Sequence, residues 1–474
     1  MFFNTIPIPG IMLIFTVLLA IYAILQRTSR TLMILYVTLL SLFLFTRMNP
    51  QAAALLPLTA LISWAMTKRM GECSNALRKR WMWATVTAEL LPLLYFKYAG
   101  PCIATFSSLL EQNFPLTDII LPVGISFYTF QAISHTVDVY RGSMKQQMDF
   151  LEYTFYLSFF PLLLAGPITR ANTMLQQIRQ NSPVNPRLLY TGLWLLTLGI
   201  LKKCVVADYI AQFNNWAFDE PLLYGGFELL MAVIGFSIQI YCDFSGYSDM
   251  SIGVAAMMGF RLSENFNFPY QSLNVSEFWH RWHISLSTWF RDYVYIPLGG
   301  NRVSLPRTYF NNFFTMLLAG LWHGSTLMFL LWGVMHGLAL VIYKGYRTIL
   351  PPPHHRKRWW QTLTSWLIFQ CFLLFTWIFF RAADMNTALI IIQRIFTEFS
   401  TDCIPAFLAQ RPLWILLIIL FSAVHCIRER WFYRIQERFV TLPWPVKALI
   451  LLIVLQLAIE LNGSEVQPFL YYKF

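Results

Sequence analysis

Charge is scarce in this chain: Asp, Glu, Lys and Arg make up 12% of its 474 residues. A soluble globular protein carries about a quarter, so too little polar surface exists here to face water. Cysteine is thin as well. Cys73, Cys102, Cys204, Cys242, Cys371, Cys403 and Cys426 are odd in number, scattered and never closely paired. That pattern excludes a disulfide framework or zinc-finger spacing and leaves them as small apolar fillers. Neither a fixed-period repeat nor a low-complexity tract occurs, and the longest polar linkers, 351–361 and 428–438, are short. The opening MFFNTIPIPG lacks the basic region and small-residue cleavage site of a secretory signal. The first apolar run therefore reads as a retained span.

What is present in abundance is apolar. Hydrophobic residues are 57% and aromatics 17% of the chain, with a mean hydropathy of +0.52. At about 20 residues per bilayer crossing, this supplies on the order of ten to twelve helices. A soluble enzyme, a disordered tail and a fibrous repeat are excluded. Candidate spans fall near 10–25, 31–46, 50–66, 81–98, 150–168, 187–207, 222–242, 310–330, 331–345, 363–380, 412–427 and 446–461. The expected architecture is one all-α, multi-span membrane domain. It comprises N-terminal spans (1–116), a core (117–345) and C-terminal spans (346–474).

The net charge of +12 sits in short loops. Arg27 and Arg30 follow the first run, and Lys68, Arg69, Arg78, Lys79 and Arg80 follow the third. Arg356, Lys357 and Arg358 come late, then Arg428, Arg430, Arg434 and Arg438. This is the positive-inside pattern, with anionic lipid as a secondary attraction; it points to no nucleic acid. Because both early basic loops follow odd-numbered spans, the N-terminus is expected outside the cytosol, and the opening residues carry no charge to oppose that.

Polar groups inside apolar runs mark the candidate chemistry, since backbone breaks and ionisable residues at membrane depth need protein or a water-filled cavity around them. One region is 117–142, punctuated by Pro122, Gly124, His135 and Asp138. The densest is 277–293, EFWHRWHISLSTWFRDY. Read as a helix, it puts Glu277 and Arg281 at i,i+4, His280 and His283 at i,i+3, and His283 and Ser287 at i,i+4. An amphipathic interfacial helix would also fit this segment. A metal site does not, because Arg281 between two histidines repels a cation and the Glu of the zinc-protease pattern is absent.

Another is 318–337, LAGLWHGSTLMFLLWGVMHG, where His323 and His336 are the titratable groups in a long uncharged run. Gly320, Gly324, Gly333 and Gly337 allow close helix approach. A neutral imidazole there suits proton transfer, although a packing histidine bonded to a carbonyl is the plain alternative. In 239–250, Asp243, Ser245 and Asp249 suggest either a polar break lining a cavity or a capped span end. Lys202 and Lys203 could neutralise a carboxylate there or mark the cytosolic boundary. Glu89 lies mid-span without an evident role. FFPLLLAGPITR at 159–170 reads as a broken segment or a span end.

Seven stretches in order resemble the membrane-bound O-acyltransferase family, in the bacterial polysaccharide branch typified by alginate O-acetyltransferase. They are LPVGISFYTFQAISHTVDVYRG (121–142), LLAGPITR (163–170), ILKKCVVAD (200–208), YCDFSGYSDMSIGVAAMMGFRLSENFNFPY (241–270), EFWHRWHISLSTWFRDYVYIPLGGNR (277–302), GLWHG (320–324) and FFRA (379–382). The resemblance implies a helical bundle with re-entrant or broken helices around a central funnel. It maps the family's near-invariant histidine onto His323, and its second polar position, His in this branch and Asn in many lipid-modifying members, onto His283. His323 is then the general base on an acceptor hydroxyl, and His283 orients acceptor or donor. His336, His280, Arg281, Ser287, Asp243, Ser245, Asp249 and Trp322 are candidates to line the funnel. His280, where the branch more often has Arg, and His135, where Tyr is usual, are departures.

The resemblance further implies acetyl-CoA as acyl donor, with no permanently bound cofactor and no metal. It implies a place in the bacterial inner membrane and O-acetylation of an exported alginate- or cellulose-like polysaccharide. Partners would be a periplasmic SGNH-hydrolase-like acetyltransferase and polysaccharide synthesis and export proteins. The competing classes are a secondary transporter, which predicts an internal repeat, and a silent membrane scaffold of an exopolysaccharide export complex, which would tolerate loss of His323.

Overall fold

Long apolar runs have no way to satisfy their backbone in lipid except within their own helix, and most of them are helical among the described residues. The computed structural model describes residues 8–110, 119–144, 146–164, 166–350 and 358–462. Arg356 and Lys357 of the late basic cluster, and the first seven residues, lie outside them. The described residues contain helices and turns, without a strand. The chain divides into two compact units, residues 1–196 with 251–263, and 197–250 with 264–474.

The first unit is built from α1 (Ile8–Thr28), α2 (Arg30–Met48), α3 (Leu55–Gly71), α4 (Asn75–Leu110), α5 (Ile125–Arg141), α6 (Phe150–Ser158), α7 (Ala171–Gln180) and most of α8 (Pro186–Ile200). Its core gathers Met33, Phe45, Tyr128, Tyr153, Phe155 and Phe260. Pro122 and Gly124 do break the backbone ahead of α5, as the punctuation predicted. A Cβ on Gly124 would lie 2.4 Å from the Leu163 carbonyl oxygen, and its φ is +83°, so only glycine fits. His135 and Asp138, by contrast, sit within an unbroken helix. The stretch 159–170 is broken: a single 3₁₀ turn at Phe160–Leu162 leads into a turn at 163–164, and residues 166–170 have no regular structure.

Buried polar groups in this unit are tied together. Glu89 accepts hydrogen bonds from Ser63 (2.5 Å) and Thr136 (2.7 Å), and Ser63 also pairs with Tyr153 (2.5 Å). The mid-span carboxyl thus joins α3, α4, α5 and α6. At a helix end, Glu152 receives Arg179 (2.7 Å) and Arg30.

The second unit continues α8 through a π-helical segment, Leu201–Ala207, into α9 (Asp208–Asp219). Then follow α10 (Gly226–Met257), α11 (Val275–Arg281), α12 (Ile284–Phe290), α13 (Leu305–His323), α14 (Leu327–Ile349) and α15 (Trp359–Arg381). After them come α16 (Met385–Thr397), α17 (Ile404–Gln410), α18 (Pro412–Cys426), α19 (Glu429–Thr441) and α20 (Trp444–Asn462). Among the described residues, α2, α10, α14, α15 and α20 are each long and apolar enough to cross a bilayer, and the bent pair α17–α18, with a 91° turn, makes a sixth. Of the other candidate spans, 81–98 lies within the continuous α4 and 187–207 within α8 and its π-helical extension, while 150–168 is divided by the break at 159–170.

Candidate active site

The segment 277–293 is not one helix. α11 ends at Arg281, Trp282 is extended, and His283 adopts a left-handed conformation, φ +43°, as the N-cap of α12. This corrects the i,i+3 and i,i+4 spacings expected of His280, His283 and Ser287. The break sends the two histidines apart: His280 is exposed and bonds the Ser276 carbonyl (2.6 Å), while His283 is wholly buried. Burial of His283 and Trp282 also sets aside the interfacial-helix alternative. Ser287 is half-buried and donates to the Trp282 carbonyl (3.3 Å). Arg281 keeps its ion pair with Glu277 (3.1 Å).

Asn265 makes the break. Its backbone carbonyl accepts from Ile284 N–H (2.9 Å). Its side-chain oxygen accepts from the Ser285 amide (3.1 Å) and hydroxyl (2.8 Å), and its amide donates to Ser248 on α10 (3.1 Å). His283 Nδ1 accepts the Leu286 N–H at 3.3 Å. That bond requires an unprotonated Nδ1, so the neutral ring carries its hydrogen on Nε2. Nε2 is buried with no hydrogen-bond partner among the described residues.

His323 is the last residue of α13, and Gly324 leaves the helix in extended backbone. A Cβ at Gly324 would fall 2.0 Å from the Phe329 ring. Gly320 and Gly333 meet backbone to backbone, a Cβ on Gly320 lying 2.5 Å from Phe329 O and 2.9 Å from Gly333 Cα. The glycines thus close α13 onto α14, as their spacing suggested, and fix the histidine at the turn. His323 is 3% exposed. Its ring packs edge-on against Trp322 (5.0 Å between centroids), Trp332 (5.1 Å) and Phe380 (5.4 Å).

Two indoles link three imidazoles. Trp322 also touches His283 (6.0 Å), and Trp332 also touches His336 (4.6 Å). The structure therefore brings His283, Trp322, His323 and His336 into one buried aromatic cluster and leaves His280, Arg281 and Ser287 off it. Asn265, Thr376 and Trp332 belong to the cluster's support, and none was singled out by pattern. Phe380 was present in the FFRA stretch.

Asp243, Ser245 and Asp249 form neither a break nor a span end, because α10 runs uninterrupted through them. The two aspartates face lysines of the π-helical segment instead. Lys202 pairs with Asp249 (2.6 Å), and Lys203 pairs with Asp208 (2.7 Å) and with Asp243. Gly199 and Gly246 let the helices approach closely enough for this, a Cβ on Gly246 lying 2.9 Å from Lys203 N. An open apolar groove of about 840 Å³ lies between α14 and α15, lined by Met335, Ile342, Phe369 and Phe372 with Arg347 and Gln361. Phe372, which lines it, also packs against His336, 5.2 Å between ring centroids.

The model of the membrane-bound O-acyltransferase family matches residues 56–383. The chain is similar to the peptidoglycan O-acetyltransferase of Helicobacter pylori, at 32% identity over 386 residues, 76% of this chain and 73% of that one. It is 34% identical over 418 residues to a probable alginate O-acetylase AlgI of Pseudomonas putida, covering 84% of both. The probable alginate O-acetylase AlgI of Pseudomonas aeruginosa is 40% identical over 314 residues, 65% of this chain and 59% of that one. With most of the chain matched and the buried histidines held on its helices, this multi-pass membrane protein belongs to the membrane-bound O-acyltransferase family and is an acyltransferase.

Proposed function

We propose that the protein moves an acetyl group from cytosolic acetyl-CoA across the bacterial inner membrane for O-acetylation of an exported polysaccharide. A periplasmic acetyltransferase partner and the polymer's synthesis and export proteins would complete the system. The similarity to a peptidoglycan O-acetyltransferase and to a probable alginate O-acetylase supports the acetyl group and a glycan acceptor. The single observation that carries the reading is His323, locked at the α13–α14 turn inside an aromatic cluster. The neutral imidazole takes the proton as an acceptor hydroxyl attacks the thioester carbonyl. Its rigid seat supplies the orientation that makes the attack unimolecular in effect. His283, presenting Nε2–H, donates to the oxygen on which negative charge develops. Collapse then releases the thiolate of coenzyme A, which recovers the proton from His323.

In membranes containing the partner proteins, His323→Ala is expected to stop both release of free coenzyme A and glycan acetylation while the protein stays inserted at normal amount. His283→Ala should leave a small residue of activity, since a hydrogen-bond donor is worth roughly 10²–10³ in rate rather than the whole reaction. Wild-type activity in His323→Ala would remove the base. Solute flux without any acyl product would instead mark a transporter.

A further inference from the structure

His336 is tethered in a way that fixes which of its nitrogens carries hydrogen. The Thr376 hydroxyl donates to the Leu373 carbonyl at 2.8 Å, so its single hydrogen is committed. Towards His336 Nε2, 3.3 Å away, that oxygen has only lone pairs to offer. Nε2 therefore bears the hydrogen of the neutral ring, and Nδ1 is left as a bare acceptor. Nδ1 is buried and has no hydrogen-bond partner among the described residues, and the residue is 0% exposed. A buried polar atom without a partner costs about 1–3 kcal/mol and marks a place where a ligand or water belongs.

His283 has the opposite polarity, with Nδ1 satisfied by Leu286 and Nε2–H left over. The two rings flank His323 through different indoles, His283 across Trp322 and His336 across Trp332. A hydrogen-bond donor on one side suits a group with acceptors alone, such as a thioester carbonyl. A bare acceptor on the other side suits a group that brings its own hydrogen. The buried indole N–H groups of Trp279 and Trp332, whose rings lie 5.3 and 4.6 Å from the His336 ring, also lack hydrogen-bond partners among the described residues. A hydroxyl satisfies both kinds of group at once, since it donates and accepts.

We propose that His336 Nδ1 accepts a hydrogen bond from a second, non-reacting hydroxyl of a polyhydroxylated acceptor. The alcohol then lies on the Trp332 side of His323 and the thioester on the His283 side. This rests on the acyl-transfer reading above and adds its direction. The reacting hydroxyl loses its proton to His323 as its oxygen bonds the acyl carbon. The carbon–sulfur bond breaks, and the proton passes to the departing thiolate. His336 gains and loses no proton; it holds the acceptor so that the hydroxyl, rather than water, reaches the acyl carbon.

The test compares His336→Asn with His336→Gln in membranes supplied with acetyl-CoA, the partner proteins and the polymer. Asn places an amide oxygen where Nδ1 stood. Gln reaches Thr376 with an amide N–H and leaves a methylene at the Nδ1 position. At equal protein amount, Asn is expected to stay within about fivefold of wild type. Gln should lose roughly tenfold to a hundredfold, the worth of one buried hydrogen bond. Gln should also release more coenzyme A per ester formed, because water replaces the misplaced alcohol. Gln matching or exceeding Asn, with an unchanged ratio, would mean that the Thr376 tether alone matters and would overturn the assignment. Should neither variant accumulate, Thr376→Val reports the same polarity: a higher coenzyme A to ester ratio supports it, and a wild-type ratio overturns it. Wild-type membranes that neither release coenzyme A nor acetylate the polymer would remove the acyl-transfer reading itself, a separate failure.

Discussion

His283 holds a left-handed backbone that costs a non-glycine residue on the order of 1–3 kcal/mol; among the described residues only Asn181 and Phe268 share it. Asn265 offsets that cost through three hydrogen bonds into the turn and one to α10. Asn265→Ala strands the buried Ser285 amide and hydroxyl, at about 1–3 kcal/mol for each unsatisfied group. The purified variant is expected to melt several degrees lower and to transfer acyl groups at least tenfold more slowly, as thermal unfolding in detergent and coenzyme A release would record. A variant indistinguishable from wild type in both would mean that other contacts hold the turn. His323 was legible in the sequence because an imidazole in an otherwise uncharged run needs a reason to be there. His283 was legible as a polar residue in the dense cluster 277–293, and its pairing with His323 came only through the resemblance. Its geometry was not, since every spacing in EFWHRWHISLSTWFRDY is compatible with helix and the break is imposed by Asn265, remote in sequence. The polarity of His336 was hidden for the same reason, its tautomer being set by Thr376 on another helix.

At the scale of elements, apolar periodicity gave the positions of most helices but not their joints. The polar run CDFSGYSD was read as either a break or a capped span end because aspartates in hydrocarbon are costly. It is continuous helix because the preceding segment supplies lysines at matching height. The π-helical form of Leu201–Ala207 accompanies this pairing; such bulges are common where a helix must aim side chains off its regular register. Lys203 bridges Asp208 and Asp243 while 3% exposed, so its loss leaves two buried carboxylates facing each other. Lys203→Met is expected to destabilise by about 3–5 kcal/mol and to lower the amount of protein recovered from membranes. Adding Asp243→Asn to it should restore part of that loss, because the uncompensated charge is what the single change exposes. Stability is read from thermal unfolding of both variants in detergent. A single variant as stable as wild type, or a double variant no better than the single, would show that the pairs carry little.

For the whole molecule, composition points to the bilayer as solvent, and charge placement predicts an orientation that labelling tests. The first basic residues, Arg27 and Arg30, stand at the junction of α1 and α2, a single Arg47 lies in the last turn of α2, and Lys68, Arg69, Arg78, Lys79 and Arg80 bracket the turn between α3 and α4. Ser29 caps α2 immediately after α1, so these helices form a tight hairpin. The α3–α4 turn is equally short. With two basic turns on one side against the single Arg47 beside the link Asn49–Ala54, the positive-inside rule predicts that link and the N-terminus on the periplasmic side. Cys73 lies within the second basic turn and is partly accessible. In a variant retaining only this cysteine, a membrane-impermeant maleimide is expected to label inverted inner-membrane vesicles and to spare intact spheroplasts. Gln51→Cys, placed in the same background with Cys73 replaced, should show the reverse. The pair is informative because a single basic loop can be tolerated on the wrong side, whereas two consecutive ones set the orientation of the hairpins that follow. Labelling of Cys73 in spheroplasts would invert the whole molecule, and would put the acetyl-CoA face of the proposed reaction on the side where no acetyl-CoA is made.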